Sequence, residues 1–126
     1  MNKFRDLKVY QKGVKFSHYV YELTSGFPKS EIFGLTFQLR RASCSIVLNI
    51  AEGAGSDSSR EFVRYLEHSQ RSTFEMMAGM DVAKEIGYVK LTEYDACQQE
   101  LTEISVMLKG LQRSLKKKTI TSNVQH

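Results

Sequence analysis

The sequence is poor in residues that interrupt helices, and this scarcity limits the folds open to it. Its 126 residues include one proline, Pro28, and no tryptophan. Because proline breaks helices and is excluded from the interior of sheets, its scarcity leaves long uninterrupted segments. Hydrophobic residues make up 41% and charged residues 25%, which is ordinary for a globular domain. The length fits one domain with its own core.

Two further absences exclude functional classes. No stretch approaches the roughly 18 apolar residues of a membrane span, and the polar residues 1–6 do not start a signal peptide. The two cysteines, Cys44 and Cys97, are far apart and form no CxxC pair. We therefore expect a cytoplasmic protein with no membrane association and with two reduced, mostly buried thiols.

Charge is distributed unevenly along the chain. Residues 1–41 sum to +5, residues 42–108 to −6 and residues 109–126 to +5, which gives the net charge of +4. Such asymmetry suits a local anionic partner, or subunits that pack opposite charges together. A solvated basic tail is the alternative interpretation of the last segment.

Apolar residues recur at three- and four-residue spacing through four long runs, which is typical of amphipathic helices. The runs cover residues 6–25, 31–52, 59–86 and 92–118. Because short turns join them, the sequence predicts an all-α fold, an antiparallel up-down-up-down four-helix bundle. We expect one domain over residues 1–118 and a disordered C-terminal tail over residues 119–126.

The stretch between the second and third runs predicts a helical hairpin. Gly53 and Gly55 are expected to end one helix, because glycine takes positive φ without penalty. Ser58 and Glu61 fit the S-x-x-E capping box that opens the next helix. A phosphate-binding loop is the alternative. The turn is favoured because the stretch follows a helix and has no Walker lysine.

Polar residues of the second and third runs are candidates for contacts between helices. Asn49 and Glu52 are expected to set the register of the bundle or to contact another subunit. The predicted hairpin also brings Arg40 and Arg41 level with the neighbourhood of Glu75. An ion pair that fixes register is the favoured interpretation, and phosphate contacts to a nucleic acid are the alternative.

An up-down bundle places the chain's start, the hairpin and the end of the fourth helix at one end. Basic residues from these segments would gather there. Together with Arg40 and Arg41, the predicted nucleic-acid contacts are Arg60, Lys109, Arg113, Lys116, Lys117 and Lys118. Binding of this kind relies on phosphates and weakens steeply with salt.

Evidence for catalysis or metal binding is weak. His18 and Glu22 share a helix face one turn apart, but two ligands do not make a metal site. His68 has no recognisable nucleophile–base–orienting arrangement around it. The sequence therefore predicts no enzymatic activity, no metal and no cofactor.

Several stretches together resemble one bacterial family. Residues 38–42 (QLRRA) and 49–53 (NIAEG) resemble the signature of four-helix bundle proteins encoded in intervening sequences of 23S ribosomal RNA genes, also called S23 ribosomal proteins. The resemblance extends over residues 4–115. It implies a cytoplasmic, helical homopentamer with no established enzymatic activity. Arg71 is a departure, because the family commonly has a glycine there.

Two functional hypotheses follow. The first is a non-enzymatic homo-oligomer that binds RNA or DNA through its basic end. The alternative is a protein-interaction scaffold or an accessory subunit, for example of a polymerase or reverse transcriptase, since the bundle is also similar to accessory proteins of diversity-generating retroelements. The acidic middle segment and the methionines favour this alternative. Deleting residues 116–126 separates the two, because only the first hypothesis predicts a large loss of oligonucleotide binding.

Overall fold

Four α-helices make up the fold. The computed structural model describes residues 3–125, with side chains for residues 3–118. The helices are α1 (Lys8–Thr24), α2 (Leu35–Ala54), α3 (Ser59–Ile86) and α4 (Leu91–Gln125). Short 3-10 helices, Lys3–Asp6 and Lys29–Glu31, precede α1 and α2. The described part of the chain contains no strand, and the predicted all-α class is confirmed.

Neighbouring helices run antiparallel. Ser69 of α3 donates a hydrogen bond to the carbonyl of Ile46 at 2.8 Å, whereas Glu75, further along α3, pairs with Arg41, earlier in α2. In the other two pairs of consecutive helices, too, later residues of one helix contact earlier residues of the next. The pairs Ser17–Ser43 and Thr24–Arg40 join α1 to α2, and the pairs Gln70–Ser105 and Met77–Gln98 join α3 to α4. These contacts are compatible with the predicted up-down-up-down order.

The core follows one apolar stripe per helix. The predicted stripe of α3 is buried from Leu66 to Ala83, with Phe62 at its half-buried edge. On α1 the buried side passes through Val9, Phe16 and Val20, while Val14 is 43% exposed. The largest fully buried side chains are Leu39, Ile46, Ile50, Leu66, Met76, Met80, Leu101, Ile104 and Leu108.

The predicted second run begins too early. Ile32 and Phe33 belong to the predicted run over residues 31–52, but they precede α2, which begins at Leu35. Phe33 is 91% exposed and Ile32 is 48% exposed. The backbone turns here, so these two side chains do not share the helical periodicity that would direct them to the core.

The ends of α3 agree with the predicted signals. The Ser58 hydroxyl accepts a hydrogen bond from the Glu61 amide at 3.1 Å, which satisfies a free N–H of the first turn. Gly87 ends the helix with φ of 95°, and its amide donates to the carbonyls of Ala83 and Lys84. Both features come from residues within one turn of the helix end, which is why the local sequence predicts them.

The ends of α4 differ from the prediction. Lys90 N–H donates to the Glu93 carboxylate at 2.8 Å, and the helix begins at Leu91, one residue before the predicted run over residues 92–118. At its other end α4 continues to Gln125, through the segment 119–126 for which the sequence predicted a disordered tail. His126 lies outside the described residues.

Of the two hairpin glycines, Gly55 is the C-cap of α2, as predicted, but neither glycine takes the positive φ on which the prediction relied. Among the described residues, Gly87 alone combines glycine with a positive φ, and Gly55 has φ of −84°. Gly53 is buried within α2, where a Cβ would lie 2.7 Å from Tyr65 Cβ and 2.8 Å from Phe62 Cδ1. Glycine is therefore needed at position 53 for the close approach of α2 and α3.

Candidate nucleic-acid interface

Basic side chains form one stripe on α3 and another on α4. Residues 60, 64, 67 and 71 follow each other at four- and three-residue spacing, so they share a side of α3. Residues 109, 113 and 116 do the same on α4. We call the six cations of these stripes the α3–α4 basic face: Arg60, Arg64, Arg71, Lys109, Arg113 and Lys116.

The register of the two helices brings the stripes side by side. Gln70 donates from Nε2 to the Ser105 hydroxyl at 2.9 Å, which fixes α3 against α4 one turn from Lys109. Arg71 and Lys109 then line one cleft of about 220 Å³, and Glu67 also lines it. Because the helices are antiparallel, Arg60 comes level with Lys116 at the other end of the face.

The electrostatics of the α3–α4 basic face favour an extended anion. All six cations are exposed, and Glu67 is the carboxylate within the two stripes. Arg64 is also 3.3 Å from Glu61, which partly neutralises it. The stripes contain no aromatic side chain that could stack on a base. The arrangement suits contacts to a phosphate backbone rather than recognition of base sequence.

The remaining predicted cations occupy different places. Lys117 and Lys118 are exposed on the continuation of α4, and Lys118 lies half a turn around the helix from Lys109. Arg40 lies between α1 and α2, where it donates to Thr24 Oγ1 at 2.9 Å and to the Tyr21 carbonyl at 3.3 Å. Its guanidinium also covers the Tyr21 ring, 4.7 Å from the centroid.

Arg41 borders the α3–α4 basic face. Its guanidinium pairs with Glu75, as the hairpin geometry predicted, and with the Gln38 side chain. Glu75 is one helical turn from Arg71, so the carboxylate that pairs with Arg41 lies next to the stripe on α3. The pair joins α2 to α3 and has the register-setting geometry that the favoured interpretation expected.

Asn49 and Glu52 form no hydrogen bond or ion pair with another helix among the described residues. Asn49 Nδ2 donates to the Ser45 carbonyl at 2.8 Å and to the Ser45 hydroxyl at 3.0 Å, both within α2. Glu52 is exposed. The polar links between α2 and α3 come instead from hydroxyls, such as Ser72 to Ser45 at 2.9 Å. Both residues line the outer groove of α2, where a second molecule is able to reach them.

Other candidate chemistry is structural in character. His18 Nε2 lies 3.2 Å from the Glu22 carboxylate, and both side chains are well exposed. No group of three or more His, Cys, Asp or Glu residues that could hold a metal occurs in the described part of the chain. Cys97 is fully buried, and burial raises the pKa of its thiol to about 12. Cys44 is only half-buried, in contrast to the expectation for both thiols.

Two residues of the α3–α4 basic face, Arg64 and Arg71, were missed by sequence reasoning. The 42–108 segment is acidic as a whole, which hides a local basic stripe. The spacing of Arg60, Arg64 and Arg71 by four and seven residues, about one and two helical turns, was the available signal. Their proximity to Lys109 depends on the packing of α3 against α4, which the sequence of one helix does not contain.

The fold and this surface place the protein in a structural class, the all-α four-helix bundles, and give it a basic face on α3 and α4. Residues 5–110 match the family described as 23S rRNA-intervening sequence protein. The chain belongs to that family, as the resemblance predicted. Within the described residues, no helix has both the length and the apolar composition of a membrane span.

Solved structures support the same fold. The chain is similar to a protein of unknown function from the S23 ribosomal protein family of Bacteroides thetaiotaomicron, with a TM-score of 0.75 and 20% sequence identity. The similarity covers 82% of this chain and 97% of that one. No curated protein sequence matches the chain significantly.

Proposed function

We propose that this 23S rRNA-intervening sequence protein is a non-enzymatic nucleic-acid-binding protein that contacts phosphates through the α3–α4 basic face. The observation that supports the proposal is the juxtaposition of six exposed cations from two helices, with one carboxylate among them. Neutralising phosphates releases condensed counterions, and this drives binding without sequence recognition. The shared ligand chemistry is the phosphodiester backbone, whether of RNA or of DNA.

The first test removes two charges from this face. Arg113→Gln/Lys116→Gln is expected to weaken binding of a labelled 20-base-pair duplex by about tenfold at moderate salt, because two phosphate contacts are lost. The slope of log affinity against log salt should also fall by about two. Fluorescence anisotropy with an RNA duplex and a DNA duplex of the same sequence measures both quantities and distinguishes the two sources of the backbone.

A matched control removes the same charge at the other end of the bundle. Lys29→Gln/Lys90→Gln changes the net charge equally, and both lysines are exposed and distant from the basic face. We expect its affinity to stay within about twofold of the wild type. Equal losses in both double variants would assign the binding to net charge alone, and an unchanged affinity in Arg113→Gln/Lys116→Gln would exclude the proposed face.

We propose also that copies of the chain associate through the outer face of α2. Phe33, just before α2, and Phe37 and Leu48, about three turns apart on one side of that helix, are 91%, 51% and 60% exposed. They line a groove of about 760 Å³ whose edges include Arg41 and Glu52. An apolar strip with charges of both signs at its edges suits a second copy of the same chain. Five copies is the number that the family resemblance implies.

The oligomer proposal predicts the effect of one charge. Leu48→Glu is expected to convert the oligomer to the 14.4 kDa monomer, because it places a carboxylate in the apolar strip. Val106→Glu is the control, since Val106 is 61% exposed on α4 and lies outside that strip. Light scattering coupled to size-exclusion chromatography gives the mass of each. A monomeric wild type, or dissociation by Val106→Glu alone, would contradict the proposal.

A further inference from the structure

The seam between α1 and α4 is the least extensively packed of the seams between neighbouring helices. α1 packs far less extensively against α4 than against α2, and a groove of about 690 Å³ lies along the seam. Apolar parts of four side chains form its floor: Phe16, Tyr19, Ala96 and Met107. Tyr19 is half-buried, and burial is the main cause that raises the pKa of its hydroxyl.

The two walls of the groove have opposite charge. The α1 wall has Lys8, Lys12 and Lys15. On the α4 wall, Glu100 lines the groove and lies 2.9 Å from the Lys12 ammonium, and Glu103, about one turn further along α4, lies 2.8 Å from it. These two carboxylates, Glu103 first, raise the pKa of Lys12. The seam is therefore bridged in its middle by one lysine held between two glutamates.

This bridge covers the apolar floor only weakly. The side chains of Lys12, Glu100 and Glu103 are 26%, 44% and 47% exposed. Ion pairs at such positions contribute little net stability, because water and salt screen them and long side chains lose freedom. A ligand that makes well-packed apolar contacts with the floor can therefore displace the bridge at a small cost in free energy.

We propose that this groove binds one amphipathic helix of a partner protein, with an acidic flank facing α1 and a basic flank facing α4. Such a helix has an apolar stripe for the floor and polar flanks for the walls. The walls fix the direction of the helix, because reversing it exchanges its flanks. This proposal goes beyond nucleic-acid binding and uses the side of α4 opposite Lys109.

The charges of the groove favour a protein helix over a nucleic acid. Glu100 and Glu103 would repel the phosphates that the α1 lysines attract. A strand of nucleic acid therefore gains contacts on one wall and loses them on the other, whereas a helix with flanks of opposite sign matches both. Ala96 is exposed on the floor, which leaves room for an incoming apolar side chain.

Three synthetic peptides test the proposal on the full chain. Each has about 18 residues, or roughly 27 Å of helix, with the same leucine stripe. One has a glutamate flank and a lysine flank, one has two glutamate flanks, and one has two lysine flanks. The mixed peptide is expected to bind about tenfold more tightly than the other two in fluorescence anisotropy, because only it avoids like charges on both walls.

Substitutions inside and outside the groove distinguish peptide binding in the groove from binding elsewhere on the surface. Ala96→Arg, which places a long cation on the floor, is expected to weaken binding of the mixed peptide by about tenfold. Thr102→Arg adds the same side chain to an exposed position of α4 outside the groove, and should change affinity by less than about twofold. Lys8→Glu/Lys15→Glu makes both walls acidic and should transfer the preference to the peptide with two lysine flanks.

The outcomes that would overturn the proposal are distinct. Equal affinity for all three peptides would show that charge complementarity plays no part. Loss of the oligomer in Ala96→Arg would place a second copy in the groove, and loss of duplex binding in Lys8→Glu/Lys15→Glu, without a change in peptide preference, would place a nucleic acid there. Arg113→Gln/Lys116→Gln should bind the mixed peptide like the wild type, so the two proposals fail separately.

Discussion

Replacing Gly53 with alanine is expected to lower the free energy of unfolding by about 2 kcal/mol. The new methyl group would meet Tyr65 Cβ at 2.7 Å, Phe62 Cδ1 at 2.8 Å and the Phe62 carbonyl at 3.3 Å. Two of these atoms lie at or next to the backbone of α3, so a side-chain rotation does not relieve the clash. Overpacking costs about 1–3 kcal/mol or more, and the better helix propensity of alanine offsets about 1 kcal/mol.

Gly55→Ala is the matched control, two residues further along the same hairpin. Its Cβ would meet the carbonyls of Ala51 and Glu52 at 3.5 and 3.6 Å, which is ordinary contact, and its φ of −84° suits any residue. We expect a stability change between zero and a gain of about 1 kcal/mol, since alanine restricts the unfolded chain. Urea unfolding of both variants gives the comparison. A Gly53→Ala protein as stable as the Gly55→Ala protein would refute the close-packing argument.

Leu66→Ala is expected to destabilise the bundle by about 3 kcal/mol. Leu66 has no exposed surface and belongs to the α3 stripe at the centre of the core. Truncation removes buried apolar surface and leaves a cavity that neighbouring helices fill only in part, for which the usual range is about 2–5 kcal/mol. Equilibrium unfolding in urea measures the loss as a shift in midpoint at constant slope.

The control for Leu66 is the same substitution at a solvated leucine. Leu91 is 60% exposed at the first position of α4, so Leu91→Ala should change stability by less than about 0.5 kcal/mol. A loss of stability at Leu91 comparable to that at Leu66 would mean that the exposed fraction of a leucine does not predict its contribution to stability. A loss below 1 kcal/mol at Leu66 would mean that the core relaxes around the cavity.

Local signals explain the part of the fold that the sequence predicted well. The bounds of α3 follow from Ser58 at one end and Gly87 at the other, and each acts within one helical turn. The periodicity of its apolar residues likewise predicts the buried side. The start of α2 was placed too early because an apolar pair, Ile32 and Phe33, continues the composition of the helix across a turn that the composition does not show.

Features that depend on two helices together were harder to predict. Both a positive φ and the close packing of two helices require glycine. Gly53 was predicted to take a positive φ, but glycine is required there because α2 and α3 pack closely. The cations of α4 are evident in the sequence, but Arg64 and Arg71, which complete the basic face on α3, lie more than 35 residues away in the chain. The opening between α1 and α4 likewise depends on a distance between helices, which the periodicity of either helix leaves undetermined.

The sparse seam between α1 and α4 also has a consequence for how the chain folds. The extensive interfaces, α1 with α2, α2 with α3 and α3 with α4, each join helices that are consecutive in the chain. The seam that joins the first helix to the last requires the longest loop to close, and it is the seam with the least packing. Most native contacts therefore form between neighbouring segments, a topology of low contact order that is associated with rapid folding.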